Sequence, residues 1–198
     1  MKIGVLGSGT VGQIIAGKLA GVGHQVEVGT RSESTYGTAA AHGELIFNCT
    51  AGTGSIDALR AAGEEELRGK VLVDVANPLD LSKGMPPTLS VCNDDSLAEQ
   101  IQREFPEARV VKALNTMNHQ VMVDPSRVPG QHHVPIAGED AAAKEQVATL
   151  LQEFGWPADS IVDLGGIRSA RGMEMYLPLW LGAMGAFGSA DFNIRFVR

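Results

Sequence analysis

Apolar residues in this chain follow two alternating rhythms. Short continuous runs such as Lys2-Ile3-Gly4-Val5-Leu6 predict buried strands, and stretches such as Val11, Ile14, Ile15 and Leu19, spaced by three and four, predict helices. The runs predict strands over Lys2–Leu6, His24–Gly29, Leu45–Thr50, Lys70–Val75, Val110–Leu114, His133–Ala137 and Ile161–Leu164. Pro135 lacks a ladder donor, which predicts an edge position for its strand. Between the strands, Ser55–Ala62 reads as a short helix closed by Gly63. Ser96-Leu97-Ala98-Glu99 is a capping box opening a helix whose stripe is Leu97, Ile101 and Phe105. Val147, Leu150, Leu151 and Phe154 mark another helix, stopped by Gly155 with Pro157 beyond.

Strands alternating with helices predict an α/β fold with a doubly wound, mostly parallel sheet of the Rossmann type. No low-complexity linker or repeat divides the chain. Residues 1–198 are expected to form a single domain, with 167–198 a C-terminal helical extension. That extension carries an apolar stretch from Met173 to Phe187. A membrane span needs about 20 apolar residues, and this stretch is shorter and holds Glu174 and Pro178. It reads as a buried or interface helix. Met173, Tyr176, Leu177, Trp180, Leu181, Met184 and Phe187 recur at helical spacing, but Met175, Leu179 and Ala183 make the opposite side apolar too. A helix apolar all round needs cover on every side, which predicts a homodimer built on it.

Composition narrows the function. The formal net charge of −7 speaks against a broad nucleic-acid surface, so any anion must be held by a local device. Cys49 and Cys92 are too few for a disulfide framework or zinc knuckle. Cys49 lies in an apolar run and is expected to pack as a small hydrophobe. Met1-Lys2-Ile3-Gly4-Val5 enters a strand directly, so no secretory leader is read. A cytoplasmic setting is expected.

The local anion device is Gly7-Ser8-Gly9-Thr10-Val11-Gly12, between the first strand and first helix. Gly7 permits the tight turn, Gly9 lets backbone approach a pyrophosphate, and Gly12 lets the helix pack close to the sheet. The free N–H groups at the start of the helix then face the phosphates. At the end of the second strand, NAD sites place an acid on the ribose hydroxyl. This chain has Thr30-Arg31-Ser32 instead, a guanidinium and two hydroxyls suited to a 2′-phosphate. NADP(H) is therefore expected over NAD(H). Later strands end in Thr50-Ala51-Gly52-Thr53, Ala76-Asn77-Pro78-Leu79 and Asn115-Thr116-Met117-Asn118-His119. In a parallel sheet these ends share one edge, and small and polar residues there suit a nicotinamide pocket.

Several blocks resemble one family. Met1 to Gly9, Gly29-Thr30-Arg31-Ser32, Asn77-Pro78-Leu79, Val111-Lys112-Ala113-Leu114-Asn115-Thr116 and Ile167-Arg168-Ser169-Ala170-Arg171 look like the F420-dependent NADP oxidoreductases. The cytosolic reductase domains of the STEAP metalloreductases are similar over the same blocks. The resemblance implies hydride transfer between NADP(H) and coenzyme F420, an 8-hydroxy-5-deazaflavin, or a flavin-like acceptor. It implies that Thr30, Arg31 and Ser32 hold the 2′-phosphate and that Ser8 to Val11 hold the pyrophosphate. It also implies that Ala76, Asn77 and Asn115 seat the nicotinamide, with the acceptor near Thr50, Thr116, Met117 and His119. Relatives of this kind look dimeric through their C-terminal helices.

Acid–base machinery is sparse. His119 is the best-placed imidazole, as a candidate catalytic donor or an ordinary loop histidine. His132 and His133 are adjacent in a strand and point to opposite faces, a poor metal pair. Transfer between two stacked rings needs orientation and a dry pocket more than a proton donor. The alternatives are a reductase of a small carbonyl or imine with His119 as donor, and a non-catalytic NADP(H)-binding redox sensor.

Overall fold

A computed structural model describes residues 1–197. Its first half alternates β1 (Lys2–Leu6), α1 (Thr10–Gly21), β2 (Gln25–Gly29), α2 (Tyr36–His42), β3 (Leu45–Asn48), α3 (Ser55–Ala62), α4 (Glu64–Leu67) and β4 (Val71–Asp74). A small hairpin, β5 (Leu79–Asp80) and β6 (Thr88–Leu89), precedes α5 (Leu97–Glu104). There follow β7 (Arg109–Ala113), α6 (His119–Val123), β8 (Val134–Ala137), α7 (Ala141–Glu153), β9 (Ile161–Asp163), α8 (Ala170–Met175) and α9 (Leu177–Phe187).

The main sheet has seven strands in the order β2-β1-β3-β4-β7-β8-β9. All neighbours are parallel except β7 and β8. From β1 the chain winds first to β2 on one side and then to β3 on the other, which opens a crevice at the carboxyl ends of β1 and β3. The strands bury both faces, as their continuous apolar runs require. Ile3, Val5, Leu45, Phe47, Val71 and Val73 pack on one side with Ile15 and Leu19 of α1 and Val147 and Leu151 of α7. Ile46, Leu72 and Val110 pack on the other with Ala39 of α2, Leu59 of α3 and Ile101 of α5.

Two expectations are corrected. The strand holding Pro135 is not an edge; β8 lies between β7 and β9. Its ladder to β7 uses only Ile136 and Ala137, and towards β9 it is the Ile136 carbonyl that accepts from Leu164 N at 2.9 Å. Pro135 lies past the end of β7, so its missing N–H removes no bond there. The apolar stretch from Met173 is not one helix. Pro178 has no N–H to give Glu174, and the chain breaks at Tyr176 into α8 and α9. On these helices Met173, Leu177 and Trp180 turn inwards, whereas Leu179 and Phe187 are 68% and 67% exposed. Beyond α9 the chain returns along β8, where His133 N donates to Ile194 O at 2.9 Å and Phe192 stacks on Trp180. Among the described residues no helix is long and apolar enough to cross a membrane.

Candidate functional site

The glycine loop has the geometry its sequence calls for. Gly7 adopts φ 114°, which a side chain would oppose, and its N–H donates to Gly29 O at 2.9 Å. A Cβ on Gly12 would overlap the Gly7 carbonyl oxygen, so α1 approaches the loop as only glycine allows. A Cβ on Gly9 would meet nothing within 4 Å, because that position faces open space. Helix α1 has no side-chain cap and no acidic residue in its first turn. Its leading N–H groups are thus available to an anion, and its dipole favours one.

Above this loop opens a cavity of about 980 Å³. Gly7, Ser8 and Gly9 form its base; Arg31 and Ser32 flank it from the β2 exit; Thr50 and Ala51 line it from the β3 exit. Thr30 organises the β2 exit, since its N–H donates to Thr35 Oγ1 at 2.9 Å and its Oγ1 accepts from Glu33 N at 3.2 Å. Arg31 is exposed and has no salt-bridge partner among the described residues, whereas Arg60, Arg68, Arg103, Arg127 and Arg171 all pair with carboxylates. Cys49 also lines the cavity; burial, and then the Asp74 carboxylate, push its thiol far above the usual range, which disfavours the thiolate.

The β4 and β7 exits meet beside this cavity. Gly52, after β3, lies so close to Asn77 that a Cβ would overlap the Asn77 carbonyl oxygen. Asn77 Nδ2 donates to Asn115 O at 2.8 Å, and Asn115 Nδ2 donates to Asn77 Oδ1 at 2.9 Å and Met173 O at 3.1 Å. Asn115 Oδ1 and Thr116 Oγ1 are buried without a hydrogen-bond partner among the described residues. Leu114, just before them, holds φ 65°, a left-handed backbone costing on the order of 1–3 kcal/mol that here turns the strand end towards α8.

Beneath these exits lies a buried charged cluster. Lys112 Nζ contacts Asp74 Oδ2 at 2.8 Å, Glu174 Oε1 at 2.8 Å and the carbonyl oxygen of Ala76. Burial works to lower the Lys112 pKa, but Asp74 and Glu174 outweigh it and the net shift is upward. Burial raises the Glu174 carboxyl against the pull of Lys112. Asp74 Oδ1 accepts from Asn48 Nδ2 at 2.8 Å, and Asn48 Oδ1 accepts from Thr50 Oγ1 at 2.7 Å.

This geometry has relatives. The family model for coenzyme F420-dependent NADP oxidoreductases matches residues 2–78. A crystal structure from Arthrobacter sp. FB24, described as a candidate F420-dependent NADP reductase, is 51% identical, covers 100% of both chains and superimposes with a TM-score of 0.96. The chain belongs to the F420-dependent NADP oxidoreductase family. It is also 30% identical to rat metalloreductase STEAP3 over 194 residues, 90% of this chain. It is 31% identical to the F420-dependent NADP reductase of Methanocaldococcus jannaschii over 135 residues, 67% of this chain. The chain spans 38% of the length of the former and 58% of the latter.

Within this family member, the residues expected from sequence fall into two groups. Gly7, Ser8, Gly9, Arg31, Ser32, Thr50 and Ala51 line the cavity, with Thr10, Val11 and Gly12 in the first turn of α1 and Thr30 at the β2 exit. Ala76, Asn77, Pro78 and Asn115 gather beside it, with Thr116 and Met117 buried behind them. His119 opens α6, half-buried, and does not line the cavity. Sequence reasoning missed Tyr36 as a cavity wall because α2 has no apolar stripe to announce it, and it missed Ala58 and Ala61 because they sit on α3, whose approach to the cavity is a tertiary matter. It also missed the Asp74–Lys112–Glu174 cluster. The available signal was a charge in each of three apolar runs, since charges are buried only when paired.

Proposed function

We propose that this chain binds NADP(H) in the crevice and exchanges a hydride between it and coenzyme F420 or a flavin-like acceptor. The observation that carries the reading is Arg31, a cation without an ion pair among the described residues, at the β2 exit where an NAD site would have an acid. In this reading Thr30, Arg31 and Ser32 grip the 2′-phosphate, and the N–H groups of Ser8 to Val11 hold the pyrophosphate. The open space at Gly9 fits that approach. Asn77 and Asn115 flank the nicotinamide, and the orphaned Asn115 Oδ1 is an acceptor in want of a donor such as a carboxamide. When bound, the nicotinamide supplies the hydride. Thr116 and Met117, expected beside the acceptor, are instead buried behind these asparagines and do not line the cavity, so in this scheme transfer relies on positioning and water exclusion. His119, off the cavity, has no essential part in this scheme. The names of the Arthrobacter and Methanocaldococcus relatives favour F420 as the acceptor. The proposal includes a cytoplasmic setting and a homodimer through α9.

The test is an acceptor panel. NADPH oxidation is followed with F420, FMN, ferric chelates, a quinone and a cyclic imine. Direct transfer of deuterium from 4-deuterated NADPH to F420 is the expected result. NADPH binding without oxidation by any acceptor would overturn the enzyme reading in favour of a sensor, and turnover of the imine alone would replace the acceptor.

A further inference from the structure

We infer that Lys112 is a positioning residue, holding Ala76 and with it the β4 exit in the shape that seats the nicotinamide. The inference rests on the proposed NADP(H) site and deepens it.

Both peptide groups of Ala76 are held by the cluster. Its N–H donates to Asp74 Oδ1 at 3.2 Å, and its carbonyl oxygen accepts from Lys112 Nζ. Lys112 is fully buried, as is Asp74, and Glu174 is 1% exposed. Glu174 in turn accepts from Leu97 N at 2.8 Å and Ala98 N at 3.1 Å, the free first-turn donors of α5. The ammonium therefore ties the exit of β4 to α8 and to the start of α5. Asn115 makes a parallel tie one step nearer the cavity, from Asn77 to the Met173 carbonyl. The Ala76 backbone and the Asn77 side chain are thus held by two buried polar clamps, each anchored on α8.

Stability alone does not account for this arrangement. A buried ion cluster is often replaced by apolar groups with no loss of stability, because desolvation offsets the attraction. What apolar groups cannot supply is a donor aimed at one carbonyl oxygen. Here that carbonyl belongs to the first residue after Val75 on the ligand edge. Asp74 extends the same network through Asn48 to Thr50 and Ser55, with Thr50 Oγ1 2.8 Å from Ser55 Oγ. Thr50 lines the cavity. The network therefore reaches the ligand edge at two strand exits.

The experiment separates the two halves of the cofactor. The triple variant Asp74→Asn, Lys112→Met, Glu174→Gln removes every charge of the cluster and leaves none unpaired. Calorimetry with 2′,5′-ADP reads the adenosine half, and the emission of bound NADPH reads the nicotinamide. The expected result is wild-type affinity for 2′,5′-ADP, affinity for NADPH lowered about tenfold, and loss of the emission change. A purely structural cluster would affect neither ligand selectively, so wild-type NADPH affinity and emission in the folded variant overturn the inference. Asp74→Asn alone keeps Lys112 and Glu174 as a balanced pair and covers the case where the triple variant does not fold. A smaller loss of NADPH emission with intact 2′,5′-ADP binding is expected, and wild-type emission overturns the inference. Failure of the wild type to bind 2′,5′-ADP overturns the NADP(H) site itself, and this inference with it.

Discussion

Glu99 presents both carboxylate oxygens to the guanidinium of Arg171, at 2.7 and 2.8 Å, and so joins α5 to α8. The Arg171 hydrogen bonds, working against burial, hold Glu99 below its ordinary 4.5. Nearby, Arg103 holds Asp95 at about 2, against an ordinary 3.8. Both folded values are depressed, so the stability they contribute is complete above the unfolded values and is lost as pH falls through the folded ones. Acid destabilisation should therefore begin near 4.5 and continue towards 2. Glu174, raised by burial, acts with the opposite sign, so the comparison must be between variants. In Arg171→Met the melting temperature should fall at neutral pH and depend less steeply on pH in the acid range. An acid slope identical to wild type would discard the assignment.

The two glycines of the loop make separable predictions. Gly12→Ala forces a methyl against the Gly7 carbonyl and should destabilise the fold by at least about 1–3 kcal/mol, read from denaturant midpoints. Gly9→Val places its Cβ in open space and should fold normally, with native-like circular dichroism, yet lose NADPH. Native NADPH affinity in that variant would remove the pyrophosphate from this loop.

Arg31→Asp should weaken NADPH and spare NADH. A charge-assisted contact to phosphate is worth about 1.5–3 kcal/mol, or upwards of tenfold in affinity. Titration of both cofactors decides it, and unchanged NADPH affinity would move the 2′-phosphate elsewhere. Because Arg31 has no ion pair to lose among the described residues, the thermal midpoint of the free protein should barely change, which separates binding from folding.

Legibility in the sequence tracked how local the cause was. Helix α3 falls over Ser55–Ala62 as read, because Gly63, at φ 95°, ends it within its own backbone. The capping box formed as well: Ser96 Oγ accepts from Glu99 N at 3.2 Å, although the Glu99 carboxylate turns to the Ser96 hydroxyl and Arg171. Helix α2 was illegible because Tyr-Gly-Thr-Ala-Ala-Ala-His has little apolar contrast; it is fixed by the burial of Ala39 and Ala40 on the sheet. Pro135 misled because edge placement follows from strand register, which tertiary pairing decides. The glycine loop and Arg31 were legible because their chemistry is contiguous. Lys112 was not, because Asp74 and Glu174 reach it from distant segments.

The last prediction concerns assembly. Trp180, one of the apolar residues at helical spacing on this stretch, is 8% exposed and stacks on Phe192 within the same chain. A charge there would damage the monomer first. The uncovered side carries Leu179 and Phe187, with Gly182, Gly185 and Ala186 exposed along the same helix. Large apolar side chains beside small residues suit the close approach of a second helix, and a second copy of α9 presents the same surface by symmetry. Contiguous apolar surface of this kind is unfavourable in water unless covered. Light scattering should therefore give a dimer at micromolar concentration. Leu179→Glu should shift it to monomer with an unchanged far-ultraviolet spectrum, since the side chain is 68% exposed and supports little of the monomer core. A wild type that remains monomeric would end the proposal, and a dimer indifferent to Leu179→Glu would place the interface on another face.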